Sequence, residues 1–92
     1  MSIIEAGQLW VSDGRPTGGE PQTYYIAKVF EGVCFAVPVH ISGTRKGAKV
    51  VADGKVRRFP VSHILEWWMP TGTPVQVPRT WHEQLLDACD EP

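Results

Sequence analysis

Residues 23–40, TYYIAKVF-EG-VCFAVPVH, decide how this chain folds. Two runs rich in β-branched and aromatic residues flank Glu31-Gly32, a pair suited to a two-residue hairpin turn. Closing that turn sets Phe30 opposite Val33, Lys28 opposite Phe35, Ile26 opposite Val37 and Tyr24 opposite Val39. The other face then pairs Val29 with Cys34, Ala27 with Ala36 and Tyr25 with Pro38. One face is bulky and apolar, and the other is apolar but small. A strand pair with one solvated face alternates to polar side chains. This pair does not, so both faces of the ribbon need a cover. Pro38 has no amide to give a ladder, which puts its strand at an edge, at a bulge or at its end.

Working outward, QLWVS at 8–12 reads as a first strand, with Leu9 and Val11 on one side and Trp10 on the other. Residues 13–22, DGRPTGGEPQ, are rich in glycine and proline and read as a surface loop. Beyond the hairpin, the basic loop SGTRKG leads into AKVVA-DG-KVRRFP, where Asp53-Gly54 is a strong turn signal. Pairing across it would set Val51 opposite Val56, Val50 opposite Arg57, Ala48 opposite Phe59 and Lys49 opposite Arg58. After Pro60, VSHI reads as a single 3₁₀-type turn. LEWWMP at 65–70 reads as the last strand, which would send Trp67 and Trp68 to opposite faces. Residues 70–78, PTGTPVQVP, read as extended.

At the C-terminus the period changes. Thr80-Trp81-His82-Glu83 fits a capping box, and Trp81, Leu85, Ala88 and Cys89 recur at helical spacing. So short a helix is marginal alone in water, so it must dock. It is the expected cover for the small-residue face and the second tryptophan; a second copy of the chain or a foreign partner is the alternative. The expected division is a β unit over 1–78, with a proline-rich extended segment at 70–78, and a docked helix over 79–92.

Ninety-two residues suit one domain with a modest core. A charged fraction of 21% and a net charge of −1 exclude a disordered or globally basic chain. No apolar run is long enough to span a membrane and no secretory leader is read at the start, so a cytoplasmic protein is expected. Cys34 and Cys89 stand far apart in sequence. Free buried thiols are expected, with a disulfide between them as the alternative. His40, His63 and His82 fall in a strand end, a turn and a helix at no metal-ligand spacing, so no metal and no cofactor is expected. PTGGEP lacks the Lys-Ser/Thr pair of a phosphate-binding loop.

Five short strands, a long loop after the first, and a proline-led 3₁₀ turn before the last resemble the SH3-like small barrels. The wording AGQLWVSDG…YYIAKVF…VCFAVPV…KVRRFPVSHILEW, over residues 6–67, is similar to Tudor- and KOW-type modules. More loosely it resembles the plasmid-borne type II dihydrofolate reductases. The resemblance implies a mainly β fold, a five-stranded SH3-like barrel with a short 3₁₀ turn, and a habit of self-association; the residue pattern adds an amphipathic C-terminal α-helix. Those reductases line a pore with Val-Gln-Ile-Tyr-Pro. Here Val56-Arg57-Arg58-Phe59-Pro60 stands in that place, with arginines for the glutamine and isoleucine and no tyrosine hydroxyl, so the reductase activity is not carried over.

Two sets of residues are candidate binding sites. Segment 45–58 holds Arg45, Lys46, Lys49, Lys55, Arg57 and Arg58 against Asp53 alone, a net +5 in a chain whose remainder is acidic. Lys49 facing Arg58 would be a repulsive pair, relieved by the chain's own acids, a partner protein or phosphates. The second set is aromatic: Trp10, Tyr24, Tyr25, Trp67, Trp68 and Trp81. At least half of it is expected to be core, with Trp67 or Trp68 the best placed for exposure and a tyrosine such as Tyr24 beside them to stack on a partner. The acids Asp87, Asp90 and Glu91 read as a frayed tail or an acidic docking patch. Together these features point to a non-enzymatic binding module: a small accessory, adaptor or inhibitor protein of phage, plasmid or gene-cassette type that binds a protein partner and forms a homodimer. A nucleic-acid-binding protein using hairpin 45–58 is one alternative. A small oligomeric enzyme with its site at a subunit junction is the other.

Overall fold

The computed structural model describes residues 4–14, 20–42, 49–71 and 77–89. Its elements are β1 (Leu9–Ser12), β2 (Gln22–Phe30), β3 (Val33–Ser42), β4 (Lys49–Ala52), β5 (Arg57–Pro60), α1 (Val61–Trp67), β6 (Trp68–Pro70) and α2 (Arg79–Cys89). One antiparallel sheet of six strands runs β4-β3-β2-β1-β6, and β5 also pairs with β3. The fold is mainly β, as expected. The sheet is open, ending in β4 and β5 on one side and β6 on the other, where a closed five-stranded barrel was expected.

The β2–β3 turn forms at Glu31-Gly32, both with positive φ (49° and 77°), as a two-residue hairpin turn requires. From Phe30 opposite Val33 to Lys28 opposite Phe35 the register is the expected one. It then shifts, so that Ile26 faces Ala36, Tyr25 faces Val37 and Tyr24 faces Pro38. Ala27 is the extra residue of a bulge, and a slip of one residue exchanges the faces. Tyr24 and Ile26 therefore join Cys34 and Ala36, while Tyr25 joins Val37 and Val39. The exchange suits packing: the small Cys34 and Ala36 leave room for the rings of Trp10, Tyr24 and Trp68 in the same cluster.

The expected hairpin at Asp53-Gly54 is not formed. β4 pairs with the far half of β3, from Val39–Ala52 to Ser42–Lys49, and β5 with the near half, from Val33–Pro60 to Ala36–Arg57. They are successive halves of one edge, interrupted opposite Pro38. The Pro38 carbonyl accepts a hydrogen bond from the Asp53 amide at 2.7 Å, but proline has no N–H to return. Residues 53–56 bulge out there, and a Cβ on Gly54 would lie 2.9 Å from Pro38 Cγ, so this position demands glycine. The local turn signal was real; the demand of Pro38 on the neighbouring strand redirected it. Lys49 consequently pairs with Ser42 and Arg58 with Phe35, so the expected Lys49–Arg58 pairing is not formed.

Residues 61–67 form an α-helix where a single 3₁₀ turn and the start of a strand were expected, and the last strand is only Trp68–Pro70. Pro60 offers no side-chain cap. Instead, the Val61 amide donates to the Gly32 carbonyl at 2.9 Å, tying the helix start to the hairpin turn. Trp68 closes the other end by donating its amide to Ile64. Because Trp67 ends a helix and Trp68 opens a strand, strand alternation does not separate them. Both pack in the same cluster.

Each face of the ribbon has its own cover. Ile64 of α1, Ile4 and Trp68 pack over Ile26, Cys34 and Ala36. Trp81 and Leu85 of α2 pack over Leu9, Tyr25, Val37 and Val39. The terminal helix is a cover, as expected, but of the opposite face from the small-residue one. It begins at Arg79, whose Nε pairs with Glu83 Oε1 at 3.2 Å, so Thr80 is a helical residue and the expected capping box is not formed. Ala88, expected in the apolar stripe, is exposed.

Candidate functional site

The aromatic residues expected to face a partner are mostly core. Trp68 is 5% exposed and Tyr24 8%. Their rings stack at 4.5 Å, with Phe59 edge-on to both at 4.7 Å and 5.3 Å. The expectation of an exposed Trp68 is therefore corrected, and Tyr24 offers no bare ring. Trp67 is half-buried against the same cluster. Trp10 is buried and its indole N–H donates to Gln8 Oε1 at 2.9 Å, which also accepts from the Glu5 amide. Trp81 lies edge-on to Tyr25 at 5.0 Å under α2.

The basic set divides. Arg45 and Lys46 lie outside the described residues, as does the side chain of Lys49. Lys55, Arg57 and Arg58 are exposed. Arg57 stands beside Ala36 and Arg58 beside Phe35, neighbouring positions that face opposite sides of the sheet. They do not form one stripe.

What the sequence reading missed lies at the turn end of the ribbon. Lys28, Phe30, Val33, Phe35 and Arg58 share the α2 side there, past the residues that α2 covers. Phe30 is 56% exposed. The Lys28 ammonium sits 5.5 Å from the centre of the Phe30 ring and 5.9 Å from that of Phe35. The Arg58 guanidinium sits 5.6 Å from Phe35. Each such contact is worth about 0.5–1 kcal/mol at an exposed site. The signal was present in the sequence: Lys28 already faced Phe35 in the expected register, and Phe30 abuts the turn, as far as the ribbon reaches from its cover.

A second feature fastens α2. The Tyr25 hydroxyl lies 2.7 Å from His82 Nδ1, and the two rings meet edge-on at 5.7 Å. The direction of this hydrogen bond follows the imidazole tautomer, since Nδ1 can accept from the hydroxyl or donate to it. Burial pushes the Tyr25 phenol above its ordinary pKa of 10.0. An exposed contact, His40 Nδ1 to Asp53 Oδ1 at 3.9 Å, flanks the Pro38 bulge.

The β5 and β6 edges are poorly suited to strand addition. β5 presents Arg57, Arg58 and Pro60, and β6 is three residues long and ends in Pro70. Among the described residues, no group of three or more His, Cys, Asp or Glu is placed to hold a metal ion, and no helix is long and apolar enough to cross a membrane. Compared with known proteins, the chain matches no family model, no curated protein and no solved structure.

Proposed function

We propose that the chain is a non-enzymatic protein-binding module of SH3-like architecture whose docking surface is the turn end of the β2–β3 ribbon, on the α2 side. The architecture is supported by the strand order. β1 to β4 follow one another across the sheet, the last strand returns to β1, and a short helix stands where the SH3-like pattern has its turn. Counting β4 and β5 as halves of one edge gives the five strands of that pattern.

The docking surface rests on one observation: at the turn end Phe30 is 56% exposed and Phe35 beside it is flanked by Lys28 and Arg58, whereas Leu9, Tyr25, Val37 and Val39 farther along the same face are buried. An aromatic ring beside an arginine is what protein interfaces favour. With the β5 and β6 edges that border this surface and its far side protected, the partner meets the face there.

The test compares proteins retained from cell lysate by the immobilised chain and by its Phe30→Ser and Met69→Ser variants, quantified by mass spectrometry. Met69 is 70% exposed and lies on the distant β6, which makes it the control. A set of proteins lost with Phe30→Ser and kept with Met69→Ser is expected. Equal retention by all three chains overturns the reading.

A further inference from the structure

We propose that a second copy of this chain adds to the outer edge of β4, joining the two sheets antiparallel about a two-fold axis at Val51. β4 is the remaining border of the sheet, and among the described residues no strand pairs with its outer side. Val51 is 40% exposed, and Ala52 is exposed as well. The edge lies at the far end of β3 from the docking surface proposed above, so the two stand or fall separately.

The direction of the main-chain groups fixes what can pair there. Along an antiparallel strand, successive residues turn their amide and carbonyl alternately toward one neighbour and toward the other side. The Asp53 amide donates to the Pro38 carbonyl at 2.7 Å, one step beyond the Val39–Ala52 pair, so Asp53 faces β3. By alternation Val51 and Lys49 face β3 too, and Val50 and Ala52 turn outward. A two-fold axis at Val51 brings Val50 opposite Ala52 of the second copy and Ala52 opposite its Val50, for about four main-chain hydrogen bonds. Val51 then meets Val51 in the close, non-hydrogen-bonded kind of pair.

Charge selects this register and this partner. Lys49-Val50-Val51-Ala52-Asp53 carries opposite charges equally far from Val51, so the run is complementary to its own reverse. Each Lys49 position comes opposite an Asp53, the favourable cross-strand combination. Sliding two residues either way keeps the hydrogen-bond alternation but sets Lys49 or Asp53 against Val51 and loses both pairs. Asp53 Oδ1 lies 3.9 Å from His40 Nδ1, longer than a hydrogen bond, and a carboxylate accepts from several donors at once. A lysine in a short edge strand keeps other strands away; a second copy is the strand that brings an acid to meet it. The contact is small, so the dimer is weak and reversible.

The full-length ¹⁵N-labelled chain is diluted from near-millimolar to low-micromolar concentration, followed by amide shifts and by sedimentation equilibrium. The mass is expected to fall from toward two chains to one, and the amides that move are expected to be those of residues 39–42 and 49–53. Val51→Lys, at an exposed position, abolishes the dimer while amides remote from β4 keep their positions. Lys49→Asp and Asp53→Lys each weaken it about tenfold, and the two together in one chain restore it. A parent chain that stays monomeric throughout overturns the proposal, and this reading needs no variant. Shifts centred on residues 28–35 would place self-association at the docking surface, and shifts centred on 79–89 would make it an exchange of α2; either overturns it. So do charge reversals that leave the dimer unchanged, or a folded double variant that fails to regain it.

Discussion

Replacing Tyr25 by phenylalanine tests how α2 is held to the sheet. The hydroxyl lies 2.7 Å from His82 Nδ1, and the substitution removes it while leaving the edge-on contact with Trp81 at 5.0 Å in place. His82 is half-buried, so water reaches the orphaned nitrogen only in part. The expected loss is about 1 kcal/mol, within the 0.5–1.5 kcal/mol range of one net hydrogen bond. For a domain of this size that lowers Tm by roughly 4–8 °C. Urea unfolding followed by tryptophan fluorescence measures it, and amide hydrogen exchange in residues 79–89 shows whether the opening is local to α2.

A pH arm sharpens the test. Burial raises the folded-state pKa of Tyr25 above 10.0, so the phenol is held protonated by folding. The stability this confers is fully present below the unfolded value, about pH 10, and is lost as pH rises through the folded value. Phenylalanine has no such dependence, so the gap between the two chains closes above pH 10. Equal stability of the two chains at pH 7, with unchanged exchange in α2, would refute the idea that this hydrogen bond fastens the helix.

Three further substitutions probe the ribbon. Glu31→Asn places a residue tolerant of the left-handed region at φ 49° and is expected to stabilise by roughly 0.5 kcal/mol, read as a rise in urea midpoint. Gly54→Ala puts a Cβ 2.9 Å from the stiff ring of Pro38 and is expected to cost about 1–3 kcal/mol by denaturant melt. Trp68→Ala removes a ring stacked at 4.5 Å on Tyr24 and should cost about 3–5 kcal/mol, clearly more than Trp67→Ala at its half-buried neighbour. Similar losses for the two tryptophans would contradict their different burial.

The ribbon and its need for two covers could be read from residues 23–40, because alternation and turn chemistry are local. The bulge at Ala27 could not, since a register drawn from a turn assumes that every following residue pairs. Asp53-Gly54 misled for a related reason: its turn preference is local, while the obstacle, Pro38, sits on another strand. α1 was missed because seven residues are too few to show a helical period and Pro60 supplies no side-chain cap. That miss placed Trp67 and Trp68 on one continuous strand and drew the expected binding surface to them. With Trp67 and Trp68 both packed in the core, Phe30 at the turn is the aromatic left uncovered.

Hydroxyl-radical footprinting of the native chain, read residue by residue by mass spectrometry, tests most directly whether the ribbon is covered on both faces and bare at its turn end. Phe30 and Met69 are expected to be oxidised at rates near those of the unfolded chain, while Trp10, Tyr24, Tyr25 and Trp68 are protected. A Trp68 as reactive as Phe30, or a Phe30 as protected as Tyr25, would contradict it.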